Sequence, residues 1–326
     1  MNYSRSQINQ LAAYNYAANT RVSENLSVRA TYWQQLLLSL RGTLTISAVT
    51  VPGTPHPDGP ANLLQTVEVK IDGETVKLAA GASLLRMAQL YYKTLGTNDG
   101  IYTGAAGVYP FHALIPVMFA MPDSVNPPDS YEDGTRVKNL TVNITFGDTT
   151  SLITGNTSTL ALTATSCEIY LQDTEANFQR QNGIWRFRQF EATQQGILTS
   201  GSTRLQVPSV SKGGVVRTLL LAALDATVPS DTIINAVNQL KINGAEEVPF
   251  NTVEDDFLQA LSTYEQQAPA MVDGYYPFEF ADRGRVLTTG LGAFGKEVKS
   301  IDVFCDTTVG VGATSVRMHV AEMVPR

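Results

Sequence analysis

The chain repeats itself. Five short strings recur in the same order. Thr50-Val51-Pro52 is matched by Thr227-Val228-Pro229, each closing an apolar stretch (Leu44 to Val51; Leu219 to Val228). Lys70-Ile71-Asp72-Gly73 is matched by Lys241-Ile242-Asn243-Gly244. An apolar stripe at helical spacing follows each: Leu84, Met87, Leu90 and Tyr91, then Phe257, Leu258 and Leu261. Tyr109-Pro110-Phe111 is matched by Tyr276-Pro277-Phe278, and Phe146-Gly147-Asp148-Thr149-Thr150 by Phe304-Cys305-Asp306-Thr307-Thr308. The numbering differences at the four near-identical strings are 177, 171, 167 and 158. They fall steadily, as shorter loops in the second copy would make them. Ordered self-similarity at so long a period implies two structural units built to one plan.

The turns say what that plan is. Asp72-Gly73 and Asn243-Gly244 suit two-residue hairpins, because both central positions of a type I′ turn need positive φ. Val67, Val69 and Ile71 lead into the first turn at period two, which predicts strands with one buried face. Val142, Ile144 and Phe146 alternate likewise, as do Ile301 and Val303, and Val316, Met318 and Val320. Helical pattern is confined to Ser83 to Tyr92, to Glu254 to Tyr264, and to an N-terminal segment through about Ala18 that Ser4-x-x-Gln7 would open as a capping box, with a disordered polar arm as the alternative there. The fold expected is all-β: two tandem eight-stranded antiparallel jelly rolls with short helices and an N-terminal helical arm. The boundaries read as an arm over 1–30, a first barrel over 31–175, a linker that begins the second barrel over 176–210, and a second barrel over 211–326. An immunoglobulin-like sandwich is the alternative, though it has shorter connections and no helix midway.

Length agrees with two units, since 326 residues exceed what one hydrophobic core usually organises. Charged residues are only 16% of the chain, below the usual quarter or so. Thr, Ser, Asn and Gln fill the gap, a surface suited to being covered by neighbours. The net charge of −7 divides into +3 over residues 1–42 and −10 over the rest. An acidic body argues against wrapping nucleic acid, whose phosphates need a basic face. No apolar run reaches the 18 or so residues of a membrane-spanning helix, and residues 1–10 are too polar for a secretion signal. Assembly in a cytoplasm is expected.

Residues that could carry chemistry do not converge in the sequence. Gly290-Leu-Gly292-Ala-Phe-Gly295 has dinucleotide-binding spacing, but that motif works between a strand and a helix N-terminus, and here Lys296 to Phe304 alternates as a strand. His56, His112 and His319 are scattered, and Cys167 and Cys305 are far apart, so neither a metal cluster nor a nucleophile with a base emerges. Glu246-Glu247 and Glu254-Asp255-Asp256 lack the alternate spacing of a calcium loop. The sequons at Asn25, Asn139, Asn143 and Asn156 carry little weight in a Thr/Asn-rich chain without a signal peptide. The chain is read as no enzyme; no catalytic, cofactor-binding or metal-ligating residue is assigned, and no cofactor.

A duplicated jelly roll after a short N-terminal arm resembles the double-jelly-roll major capsid proteins of tailless icosahedral viruses, internal-membrane bacteriophages and the adenovirus lineage among them. The resemblance spans the whole chain and rests on architecture, with no residue signature. The length is nearest to small lipid-containing phages such as the flavobacterial one. It implies a virion protein forming pseudo-hexameric homotrimers that tile a shell over an internal membrane. Implied partners are neighbouring capsomers, minor capsid or penton proteins, and the membrane through Arg5, Arg21 and Arg29, with no sequence-specific nucleic acid. A second class is a carbohydrate-binding or adhesin jelly roll, whose discriminator is exposed aromatics; Trp33 and Trp185 are the two tryptophans. A third, a cupin-type enzyme, would need clustered His and Glu ligands.

Overall fold

The structure is a computed structural model. It describes residues 6–47, 49–92, 97–101, 103–121, 130–155, 159–175, 185–195, 200–207, 210–248, 253–254, 274–281, 286–290, 292–293 and 297–325. The chain divides into two compact units. The first is Met1–Gln89, Leu95–Ala120 and Tyr131–Gln179; the second is Leu90–Thr94, Met121–Ser130 and Arg180–Arg326.

The first unit is built on β1 (Ser6–Asn15), β2 (Arg21–Leu26), β3 (Tyr32–Ser47), β4 (Leu64–Ile71), β5 (Glu74–Ala79), β6 (Gly107–Met118), β7 (Leu140–Phe146) and β8 (Thr159–Thr174). They form two antiparallel layers, β1-β8-β3-β6 and β2-β7-β4-β5. Helix α1 (Gly81–Tyr92) follows β5. Between the layers lie Leu36, Leu38, Leu40 and Leu44 of β3, Val67, Val69 and Ile71 of β4, and Val142, Ile144 and Phe146 of β7, none more than 1% exposed. Burying side chains of this size stabilises by about 1.5–3 kcal/mol each, which is why period two decides which face turns inward.

The second unit repeats the plan. Its strands are β9 (Trp185–Gln195), β10 (Gly201–Gln206), β11 (Val215–Asp225), β12 (Ile234–Ile242), β13 (Ala245–Val248), β14 (Tyr275–Glu279), β15 (Ile301–Thr307) and β16 (Thr314–Pro325). The layers are β9-β16-β11-β14 and β10-β15-β12-β13, so each strand takes the place of the one eight before it. Register agrees residue by residue: Thr43 faces Pro110, and Leu220 faces Pro277. In both Tyr-Pro-Phe strings the Phe is in the core and the Pro points out.

The structure corrects one repeat. Val142 faces Val69 and Val303 faces Leu240, so the seventh strands are related by a difference of 161, not 158. Phe146 belongs to the core, whereas Phe304 is half-buried under the Lys241 ammonium, 5.1 Å from its ring centre. Asp-Thr-Thr recurs there because the chain is rich in Thr. The corrected differences still fall steadily.

The N-terminal helix is also corrected. Residues 6–15 form β1, bonded along its length to β8. Intrinsic helix propensity differs by less than about 1 kcal/mol per residue among such side chains, so a sheet edge with free donors and acceptors decides the outcome. Tyr14 shows the tertiary pull: it is 2% exposed, and its hydroxyl donates to the Val142 carbonyl. β2 follows, so residues 6–26 supply two strands of the first unit. Of the helix expected over Glu254 to Tyr264, Glu254 lies in the two-residue strand Val253–Glu254; the rest is outside the described residues.

The two hairpin turns are built alike. Asp72 and Gly73 have φ of 51° and 85°, and Asn243 and Gly244 have 55° and 76°. The Asp72 Oδ1 accepts from the Lys138 and Asn139 amides at 2.8 and 2.9 Å, and Asn243 Oδ1 accepts from Lys299 and Ser300 at 2.6 and 3.2 Å. Each turn thus pins the start of the seventh strand. Asp72→Ala and Asn243→Ala should each lower stability by about 1–3 kcal/mol, two hydrogen bonds at about 0.5–1.5 kcal/mol apiece. Asp72→Asn keeps the oxygen and the tolerance for positive φ, and should be close to neutral. Urea denaturation of the three variants measures this.

Candidate functional site

Strands β3 and β6 bring together a pair that the sequence reading missed. Ser39 Oγ lies 3.1 Å from His112 Nε2, and Arg41 Nε is 3.3 Å from the same oxygen. These residues are 73 apart, and only the sheet register joins them. The pair has the form of a nucleophile and its base. Its setting is unsuited to that work. Ser39 is 3% exposed, and Arg41 faces His112 across the strands. The hydroxyl is shared between the Arg41 guanidinium and the imidazole, so both of its contacts are structural. The pair therefore acts as a cross-strand tie.

The other candidates are explained locally. His56 is buried and accepts from the Asp58 amide at 3.1 Å. Asp58 accepts from Arg86 Nε at 3.0 Å, while Arg86 also donates to the Pro57 carbonyl at 3.1 Å, which docks α1 on the preceding loop. His319 is 1% exposed, with Nδ1 3.9 Å from Glu191 across the β9–β16 ladder. Among the described residues no three His, Cys, Asp or Glu side chains could share a metal ion. No helix among them is long and apolar enough to cross a membrane. Cys167 and Cys305 are buried free thiols, and burial pushes both up to about 12, which suppresses the reactive thiolate.

The Gly290–Gly295 string follows the short helix α2 (Val286–Thr289), with the Gly290 amide bonded to the Val286 carbonyl at 2.8 Å. That is the carboxyl end of a helix, where the dipole repels phosphate. The expected strand begins at Ile301, later than Lys296. Glu246 and Glu247 lie on β13, while Asp255 and Asp256 are outside the described residues. Asn25 and Asn139 are exposed, Asn143 is 4% exposed and donates to Glu68, and Asn156 is outside the described residues. Trp33 is fully buried. Trp185 lines a largely apolar cavity of about 790 Å³ together with Lys212, Val215, Leu287 and Glu297.

The first unit's outer polar face is organised by Glu68. Its carboxylate accepts from Arg21 at 2.7 Å, Asn143 at 2.7 Å and Thr75 at 3.0 Å, with Lys70 Nζ 3.2 Å away. Partial burial raises its pKa, but the Asn143, Lys70 and Thr75 contacts outweigh that and hold it below the ordinary value. A lowered carboxylate pKa contributes stability that is present above the ordinary value and is lost as pH falls through the folded one. Acid unfolding below about pH 4.5 should therefore be shallower in Glu68→Gln, read as stability against pH for both proteins. Arg29, held 2.8 Å from buried Asp173, ties the chain before β3 to β8 in a similar way.

Comparison with known proteins follows the architecture. No protein-family model and no curated protein matches the sequence. Solved structures do. The STIV MCP crystal structure superposes with a TM-score of 0.74 over 98% of this chain and 96% of that one, at 15% identity. A chain in the atomic structure of Sulfolobus Turreted Icosahedral Virus gives 0.75 over 98% and 90%, also at 15% identity. The major capsid protein P2 of bacteriophage PM2 gives 0.61 over 98% and 97%, at 13% identity. With two identically wound eight-stranded barrels in one polypeptide, the chain has the all-β double-jelly-roll fold.

Proposed function

We propose that this chain is the major coat protein of an icosahedral virion and acts as a structural element, without catalysis. The observation that carries the reading is the duplication itself. Two barrels of one topology in one chain give three copies a ring of six similar lobes, a block that tiles a shell. Closed cyclic symmetry leaves no interface of such a ring unsatisfied. The superposition over 98% of the chain with a phage major capsid protein supports it, as does the low charge. The chain would reside in the virion after assembly in the host cytoplasm. Contacts with minor or penton proteins, and with an internal membrane through the N-terminal arginines, belong to the same reading. Arg21 and Arg29 would have to exchange Glu68 and Asp173 for lipid phosphate.

Light scattering coupled to size-exclusion chromatography tests the assembly. The expected mass is three times the 35.3 kDa of the chain, with six-lobed particles by negative-stain microscopy. A stable monomer at micromolar concentration overturns the reading. The Trp185 cavity favours a second one, a sugar-binding jelly roll, because an aromatic wall with Lys212 and Glu297 at hand suits a pyranose ring. Binding to a glycan array that Trp185→Ala abolishes would support it.

A further inference from the structure

Asn-Gly occurs twice in the chain, at Asn182-Gly183 and Asn243-Gly244. The pair is reactive, because glycine puts no side chain in the way of its own amide nitrogen. That nitrogen can attack the asparagine Cγ and close a five-membered succinimide. The side-chain nitrogen leaves as ammonia and takes the glycine amide proton with it. Water then opens the ring at either carbonyl, giving aspartate or, with the main chain rerouted through the side chain, isoaspartate. Water is the only co-reactant.

In the folded chain geometry holds this reaction off at Asn243. The residue sits in the left-handed region, at φ 55°. There ψ is about +47°, which sets the next peptide nitrogen nearly opposite Cβ across the Cα–C bond. Attack on Cγ needs the two on the same side. The carboxamide is fixed as well. Its Oδ1 accepts from the Lys299 and Ser300 amides at 2.6 and 3.2 Å, and its Nδ2 donates to the Glu297 carbonyl at 2.8 Å. The Asn243 amide donates to the Ser300 carbonyl at 3.0 Å. These four bonds all end on residues 297–300, the segment leading into β15, so the Asn243-Gly244 peptide cannot turn over until that segment lifts away. Lack of access is not the protection. Both residues are exposed, and nothing lies within 4 Å of where a Gly244 Cβ would be.

We propose that Asn243-Gly244 is a self-modification site gated by its own hairpin, closed while residues 297–300 are docked and reactive when they detach. Carboxylate at position 243 then accumulates with the time the second unit spends with this hairpin open. The first unit has no amide to lose at the equivalent position, since Asp72 is already an acid. Asp72 Oδ1 accepts from two amides in the same way. An aspartate product at 243 therefore keeps the oxygen contacts of the turn and loses the bond to Glu297. Isoaspartate adds a methylene to the main chain and breaks the two-residue turn.

The test uses the wild-type full-length chain in mildly alkaline buffer, with and without guanidinium chloride. Peptide mapping by mass spectrometry follows both Asn-Gly pairs, with Asn243→Asp as the standard for the product. Asn182 lies outside the described residues and serves only as the reporter for the unfolded chain. In denaturant the two asparagines should convert at comparable rates. Without denaturant Asn243 should convert at least about fiftyfold more slowly than it does unfolded, since reaction follows the open fraction. Sub-denaturing guanidinium should raise its rate in step with loss of hydrogen-exchange protection at the Lys299 and Ser300 amides. Native conversion as fast as in denaturant overturns the gate. An Asn243 that stays intact in denaturant while Asn182 converts overturns the site itself.

Discussion

Replacing Arg217 with leucine should cost about 3–5 kcal/mol, and replacing Glu279 as well should recover most of it. Arg217 is 1% exposed, and its Nε lies 3.2 Å from Glu279 Oε1. The other carboxylate oxygen accepts from Thr218 Oγ1 at 2.9 Å. Burial pushes Glu279 upward in pKa, and Arg217 and Thr218 offset this only in part. Removing the guanidinium leaves a largely buried carboxylate without the cation 3.2 Å from it, which is why the single change is severe. Without either group there is no charge to strand. The single variant should also lose more stability as pH rises, because a carboxyl with a raised folded pKa favours folding while protonated and opposes it once ionised. Urea melts of the wild type, Arg217→Leu and Arg217→Leu/Glu279→Leu across neutral pH measure both effects. A double variant as unstable as the single would show that lost packing, not the stranded charge, is responsible.

Trp33→Ala should cost a comparable amount, about 3–5 kcal/mol. The indole is fully buried, with Phe119 at 5.8 Å between ring centres and its Nε1 donating to the Arg29 carbonyl at 2.9 Å. The wall beyond it cannot relax inward cheaply. A methyl group on Gly134 would already sit 2.4 Å from that nitrogen, so backbone and indole are in close contact. Removing the ring leaves a void and releases the Arg29 segment, whose guanidinium holds Asp173. Trp33→Phe keeps part of the volume and should lie between. Calorimetry of the three proteins gives the order directly.

Much of this fold is legible without coordinates, for definite reasons. Hairpin turns with positive φ restrict residue choice, so Asp72-Gly73 and Asn243-Gly244 stand out, and core faces such as Val67-Val69-Ile71 alternate because the pleat alternates. The failures are as instructive. Gln7 to Ala13 has no such restriction, and its strand conformation is imposed by β8, more than 150 residues away. The Phe304 string misled by three residues because short Thr-rich matches arise from composition, whereas register depends on which residue faces Leu240. The Ser39–His112 contact is invisible in the sequence, since neither residue signals a partner 73 positions distant.

The turn at Asp72 also bears on how each barrel is assembled in time. A two-residue hairpin forms within about 1–10 μs, long before a distant segment finds its place. The acceptor oxygen is therefore in position when the seventh strand arrives from 66 residues downstream, and it catches the incoming backbone at two adjacent amides. A local nucleus thus sets the register of a long-range pairing, and the duplicated chain carries that device once in each half.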